Sequence, residues 1–198
     1  MKVVASMVLA LGLLGAAVLP SVAHAAQVVA GVTFDDRCEV AGQALVLNGA
    51  GVRTKLIIKV YAVGLYLPGR DRNVGAVLAQ PGPKSIHITM LRDVRGHDLS
   101  EALVKGMVAN LSPKELVALQ SRLDDLHNAL LSAGDAKKGD VIQLDYLPGS
   151  GAHITVAGKP ISKDIPGDDF YQGLLKIWIG EKVSDKGLKA DLLGLSSR

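Results

Sequence analysis

The stretch NGAGVRTKLIIKVYAVGLYLP, residues 48–68, decides how this chain is read. From residue 53 to 67 it is rich in Val, Ile, Leu and Tyr and free of proline, the composition of a β-strand. The two-residue period of a strand puts Thr54, Leu56, Ile58, Val60 and Ala62 on one, almost wholly apolar, face. Arg53, Lys55, Ile57, Lys59 and Tyr61 fall on the other, so the spacing predicts one long strand that packs on one side and carries polar groups on the other. Residues 43–47 form a second apolar run just upstream. Between the two, Asn48-Gly49-Ala50-Gly51 offers residues that tolerate positive φ and predicts a tight connection.

Working outward, residues 27–32 and 85–91 are further strand-like runs bounded by turn residues. The middle of the chain changes period. Asp98-Leu99-Ser100-Glu101 predicts a capping box opening a helix that runs to about Asn110. Ser112-Pro113-Lys114-Glu115 sets a capping hydroxyl, a first-turn proline and a glutamate in the preferred order. Leu116, Leu119, Leu123, Leu126 and Leu130 then recur at intervals of three and four, an amphipathic stripe ending near Gly134. Strand signals return at residues 141–147, 152–157 and 159–163. A helix follows from Asp168 to Ile179, stopped by Gly180, and a short one from about Asp185 to Leu193. Strands, helices, strands and helices in that order imply an α+β fold: a large antiparallel sheet with helices packed on one side.

The two ends bound the rest. Lys2, an apolar run to Leu19 and Ala23-x-Ala25 predict a secretory signal peptide over residues 1–25, cleaved after Ala25, with one domain over residues 26–198. No later run is long and apolar enough to span a bilayer. Removing 25 of the 198 residues leaves 173, which suits a single core. Only Lys2 is lost from the charged residues, so 22 basic side chains become 21 against 19 acidic ones, dispersed rather than clustered, and nucleic acid is not expected as a partner. Cys38 is the sole cysteine, so no internal disulfide can form; it reads either as a small buried hydrophobe or as a free reactive thiol. His87, His97, His127 and His153 show no metal-ligand spacing, and no metal or cofactor is expected. The carboxylates sit at caps or on polar faces, and Ser150 lacks a nucleophile-elbow pattern.

Three separated segments carry a resemblance. The stretch at residues 48–68, then Tyr146-Leu-Pro-Gly-Ser-Gly151, then Asp169-Phe170 continuing through Leu175-Lys-Ile-Trp178-Ile-Gly180 to Leu188-Lys189 and Leu192-Leu-Gly194, resemble the chalcone isomerase-like family, over nearly all of the mature chain and in the order of its bacterial secreted members. The resemblance implies an open-faced sandwich fold, and the predicted signal peptide implies a periplasmic location. The family holds true isomerases, which close a flavanone ring, and non-catalytic relatives that bind fatty acids in the corresponding cleft. Arg53 matches the isomerase arginine that contacts the substrate oxyanion. Tyr61 stands where the isomerases hold water with a threonine, Leu99 and Gly106 stand in place of their tyrosine and asparagine, and Ile177, beside Trp178, replaces a threonine or serine.

One of five polar positions therefore survives, and no residue is assigned a catalytic role. An arginine without hydroxyl, phenol and amide partners cannot position water and polarise an oxyanion. Arg53 and Tyr61 instead resemble the pair with which the fatty-acid-binding branch grips a carboxylate, a planar guanidinium fork assisted by a phenol. Leu99, Gly106, Ile177 and Trp178 would line the rest of that cleft for an acyl chain. The expected function is a non-catalytic periplasmic binder of a fatty acid or similar apolar carboxylate. An isomerase or intramolecular lyase with an unknown substrate and a structural or interaction protein with a vestigial cleft are the alternatives.

Overall fold

The structure, a computed structural model, describes residues 26–196; the predicted signal peptide at residues 1–25 lies outside the described residues. The described residues open with a hairpin of β1 (Gln27–Val29) and β2 (Val32–Phe34), where one strand was expected. Next come β3 (Arg37–Val40), β4 (Gln43–Lys55) and β5 (Ile58–Leu67), the short helix α1 (Val74–Ala79) and β6 (Lys84–Met90). Two helices follow, α2 (Gly96–Asn110) and α3 (Pro113–Ala133). Strands β7 (Val141–Leu147), β8 (Gly151–Val156) and β9 (Lys159–Pro160) lead to α4 (Asp168–Ile179) and α5 (Lys186–Leu192). Strands β3 to β9 form one seven-stranded antiparallel sheet in simple sequence order. The expected large antiparallel sheet with helices packed on it is what the chain builds.

The decisive stretch departs from its sequence reading in two places. Residues 53–67 are not one strand: Lys55 pairs with Ile58 across a two-residue turn at Leu56-Ile57, so the segment is the tip of the β4–β5 hairpin. Two-residue periodicity is blind to such a reversal, because a two-residue turn of apolar side chains leaves the count of apolar positions looking continuous. The sorting of Leu56, Ile58 and Ala62 onto one packed face fails with it: Ala62 is buried, but Leu56 is 92 % and Ile58 47 % exposed.

Asn48-Gly49-Ala50-Gly51, in turn, is no connection but the middle of β4. Asn48 sits at a register shift between Leu47 and Gly49, and its buried amide donates to the Leu192 carbonyl at 2.7 Å while accepting from the Asp71 N–H at 2.8 Å. The glycines serve close approach. A Cβ on Gly49 would stand 2.1 Å from the Asp191 carbonyl oxygen, and one on Gly51 2.6 Å from the Asp191 carboxylate, so α5 lies directly on the β4 backbone.

The core lies mainly between the sheet and the helices. Val63 and Leu65 of β5, Ile86 and Ile88 of β6 and Leu144 of β7 meet Met107 of α2, Leu119, Leu123 and Leu126 of α3, and Phe170 and Leu174 of α4. On the opposite face of the sheet, the β1–β2 hairpin brings Phe34 over Leu47, Ala62 and Tyr66.

The α3 start forms as expected: Ser112 Oγ accepts from the Glu115 N–H at 3.3 Å, and Glu115 returns the bond to the Ser112 N–H at 2.7 Å. The α2 start does not. Asp98 is in its first turn, gripped by Arg95 through both carboxylate oxygens at 2.8 and 2.9 Å, and makes no cap. The helix opens earlier because Val94 pairs with Ala136, and Asp135 from that distant loop accepts from the Gly96 N–H at 3.2 Å. No helix among the described residues is long and apolar enough to cross a membrane.

Candidate functional site

At one end of the sandwich a cleft of about 420 Å³ opens between the β4–β5 hairpin, α2, α4 and the start of α5. All six residues singled out from the sequence, Arg53, Tyr61, Leu99, Gly106, Ile177 and Trp178, line it.

Arg53 and Tyr61 come from facing strands and are direct cross-strand partners. Directly opposite residues hold their Cβ atoms about 5 Å apart on the same face of a sheet. The register shifts just beyond them, between Arg53 and Thr54, leaving Val60 as the extra residue of β5; its carbonyl is taken by the Leu91 N–H at 2.9 Å. Tyr61 accepts a hydrogen bond from the indole Nε1 of Trp178 at 3.0 Å, which orients the phenol from α4. Arg53 donates through Nη1 to the Thr54 carbonyl at 2.6 Å and, at 3.4 Å, to Asp185 Oδ2. Its Nε and Nη2 have no hydrogen-bond partner among the described residues, so one edge of the fork is open.

Asp185 is the residue the sequence reading missed. It was legible as a helix start, and it does cap α5, its Oδ1 accepting from the Leu188 N–H at 2.9 Å. Its second oxygen turns to Arg53 and to the Thr54 N–H, both at 3.4 Å, a role that needs two segments 131 residues apart to meet. Nothing in a local pattern announces that.

The far wall is apolar. Leu99, Ala102, Leu103, Gly106 and Ala109 recur along one stripe of α2 and face the cleft. Gly106 contributes by absence: a Cβ there would lie 3.0 Å from Ile177 Cγ2, so its hydrogen lets α2 approach α4. Trp178 is 3 % exposed, yet the cleft beside it stays open. A second hollow of about 700 Å³ shares Lys55, Val60, Tyr61, Leu99, Ala102 and Lys105 and continues the cleft outward past Arg92 and Arg95.

Burial raises the Tyr61 phenol to about 12, the Trp178 hydrogen bond and the Arg53 charge pulling weakly the other way. At neutral pH it is a fixed hydrogen-bond donor and a reluctant proton donor. Other candidate chemistry is weaker. Burial, then the Asp145 charge, pushes the half-buried Cys38 thiol up to about 12, which suits the inert reading of this cysteine. Ser150, Asp164 and His153 cluster, but the carboxylate is central: Asp164 accepts from Ser150 Oγ and contacts His153 Nδ1 at 2.7 Å. The imidazole does not touch the serine, so no base activates it. Among the described residues no three His, Cys, Asp or Glu side chains gather as metal ligands would.

No curated protein matches the chain in sequence. Among solved structures, the crystal structure of a fatty-acid binding protein from Arabidopsis thaliana is similar at a TM-score of 0.64 and 15% identity, over 82% of this chain and 92% of that one, a likeness of fold. The sequence profile of the family described as chalcone isomerase-like matches residues 26–194, from the first strand to the end of α5. With that match over nearly every described residue, and with the sheet and helices in the arrangement it implies, the chain belongs to the chalcone isomerase-like family.

Proposed function

We propose that this chain is a non-catalytic periplasmic binding protein that holds a fatty acid or a similar apolar carboxylate, its head group on Arg53 and Tyr61 and its chain along α2 and α4. The observation that carries the reading is the pairing of one guanidinium and one protonated phenol across a hairpin, at the head of a cleft whose remaining walls are largely apolar. The open edge of Arg53 suits both oxygens of a carboxylate, and the Tyr61 O–H adds one donor to the same anion. A cleft of 420 Å³ falls within the roughly 300–1,000 Å³ of small-molecule sites. The similar Arabidopsis thaliana structure is of a fatty-acid binding protein, which favours the same ligand class here. Ring closure finds less support, because a phenol near 12 is a poor general acid and the polar groups an isomerase needs are replaced by Leu99, Gly106 and Ile177.

Native mass spectrometry of the protein purified from its own periplasm tests this, followed by extraction of any copurifying acid. A fatty acid carried by the wild type and lost from Arg53→Ala is the expected result. A protein that stays apo after incubation with a panel of fatty acids rules the reading out.

A further inference from the structure

The turn that joins β4 to β5 is built against the habits of its own chain. Three other two-residue hairpin turns close the β1–β2, β3–β4 and β8–β9 pairs, and each is Ala-Gly: Ala30-Gly31, Ala41-Gly42 and Ala157-Gly158. All six of those residues have positive φ, the conformation such turns demand and glycine tolerates. At the β4–β5 tip the same job falls to Leu56-Ile57, with Leu56 held at a φ of 57°. A branched aliphatic residue in the left-handed region is strained by about 1 kcal/mol or more. Burial does not compensate, since Leu56 and Ile57 are 92 % and 94 % exposed and Ile58 is 47 % exposed. Folding alone gives no reason for two large aliphatic side chains here.

The surroundings say what would cover them. Lys55 and Lys59 flank the turn, both exposed, and neither pairs with a carboxylate among the described residues. Arg92 and Lys105, exposed at the neighbouring rim, are likewise without an acidic partner. Aliphatic side chains at the apex with a collar of free cations behind them are complementary to an anionic bilayer: the apex enters the acyl boundary and the cations stay among the phosphates. The strands leading from this apex carry the walls of the cleft, because Lys55, Val60 and Tyr61 line both hollows.

We propose that the β4–β5 tip is a membrane-docking element that sets Leu56 and Ile57 into the surface of an anionic phospholipid bilayer, with the mouth of the cleft facing the lipid. The assignment stands on the tip's own geometry and holds whichever apolar molecule the cleft takes. Docking would let such a molecule pass between bilayer and cleft with little of its surface exposed to water.

The test is flotation of the protein with vesicles of phosphatidylcholine alone and of phosphatidylcholine mixed with phosphatidylglycerol. The wild type is expected to float with the mixed vesicles and only weakly with the neutral ones. The double variant Leu56→Gly/Ile57→Asn supplies the residues a tight turn prefers, so it folds at least as well, and it is expected to lose about ten-fold or more in vesicle binding. Lys59→Gln, outside the cleft, is expected to lose about five-fold. Wild type that fails to float with the anionic vesicles overturns the proposal and leaves the tip as a surface for a protein partner. So does a tip variant that floats as well as wild type. Fatty-acid binding by the tip variant in vesicle-free solution separates the two readings: unchanged acid uptake with lost flotation supports docking, and lost acid uptake with retained flotation overturns it.

Discussion

The indole Nε1 of Trp178 donates a hydrogen bond of 3.0 Å to the hydroxyl of Tyr61, joining α4 to β5 at the head of the cleft. Trp178 is the only tryptophan of the chain, so its fluorescence reports on this contact. Tyr61→Phe leaves a buried indole N–H without its partner and is expected to lower stability by about 1–2 kcal/mol. It should also shift the emission of Trp178 and weaken binding of a fatty acid about five-fold to ten-fold through the lost donor. Urea denaturation followed by tryptophan fluorescence, and a fatty-acid titration on both proteins, check these together. A variant with unchanged emission would show that the bond does not persist in solution.

Asp185 sets a carboxylate beside the guanidinium that the proposed ligand would use. Arg53→Ala is expected to weaken binding roughly ten-fold to a hundred-fold, the range for hydrogen bonds to a charged group. Asp185→Asn separates the two duties of that residue. Asparagine caps a helix as well as aspartate, so the bond from the Leu188 N–H and the stability of α5 should survive. The competing charge is gone, and calorimetric titration should show the acid binding roughly five-fold more tightly. Weaker binding instead would mean that Asp185 positions Arg53.

The close seat of α5 on β4 has a sharp test. Gly49→Ala would drive a Cβ to 2.1 Å from the Asp191 carbonyl, backbone that cannot rotate away. A destabilisation of about 3 kcal/mol is expected, at the upper end of overpacking, with binding reduced because Asp185 and Leu188 of the cleft wall move with α5. Thermal unfolding and the same titration read both effects.

Alkaline titration should expose the buried phenols. Burial raises Tyr61 to about 12 and lifts Tyr66 and Tyr171 in the same direction. A raised folded-state value means that the unfolded chain gives up these protons first, near pH 10, so the stability they confer is complete below that and is lost as pH climbs toward 12. Lys84 opposes this in part, since burial lowers its ammonium and favours folding as pH rises through its range. The net expectation is a stability that falls above pH 10, with a shallower fall in Tyr61→Phe, measured by urea midpoints across the range. Fatty-acid binding should hold level to about pH 10 for the same reason.

Much of the architecture was open to reading because its signals are local. The Ser112 to Glu115 cap reads across four residues, and the leucine stripe from Leu116 to Leu130 repeats within one helix. The β7 to β9 run, α4 and α5 lie where turn residues and periodicity put them, each within two or three residues. The misreadings share a cause. The capping box at Asp98 fails because Asp135, far along the chain, takes the cap of α2. Asn48 to Gly51 has turn composition but serves a bulge and a helix seat, and only the presence of α5 distinguishes the two.

The site divides along the same line. Sequence alone determined which residue types were available: Arg53 and Tyr61 in a strand-rich segment, and apolar or small residues at Leu99, Gly106, Ile177 and Trp178. Read as a single strand, though, Arg53 and Tyr61 lie eight residues apart, over 25 Å at about 3.3 Å per residue, too far to hold one carboxylate. The turn at Leu56-Ile57 folds that distance back into a cross-strand pair, and packing of α4 and α5 then adds Trp178 and Asp185 from the end of the chain. Those contacts depend on where distant segments come to rest, which is settled by burying the sheet against its helices and not by any period in the sequence.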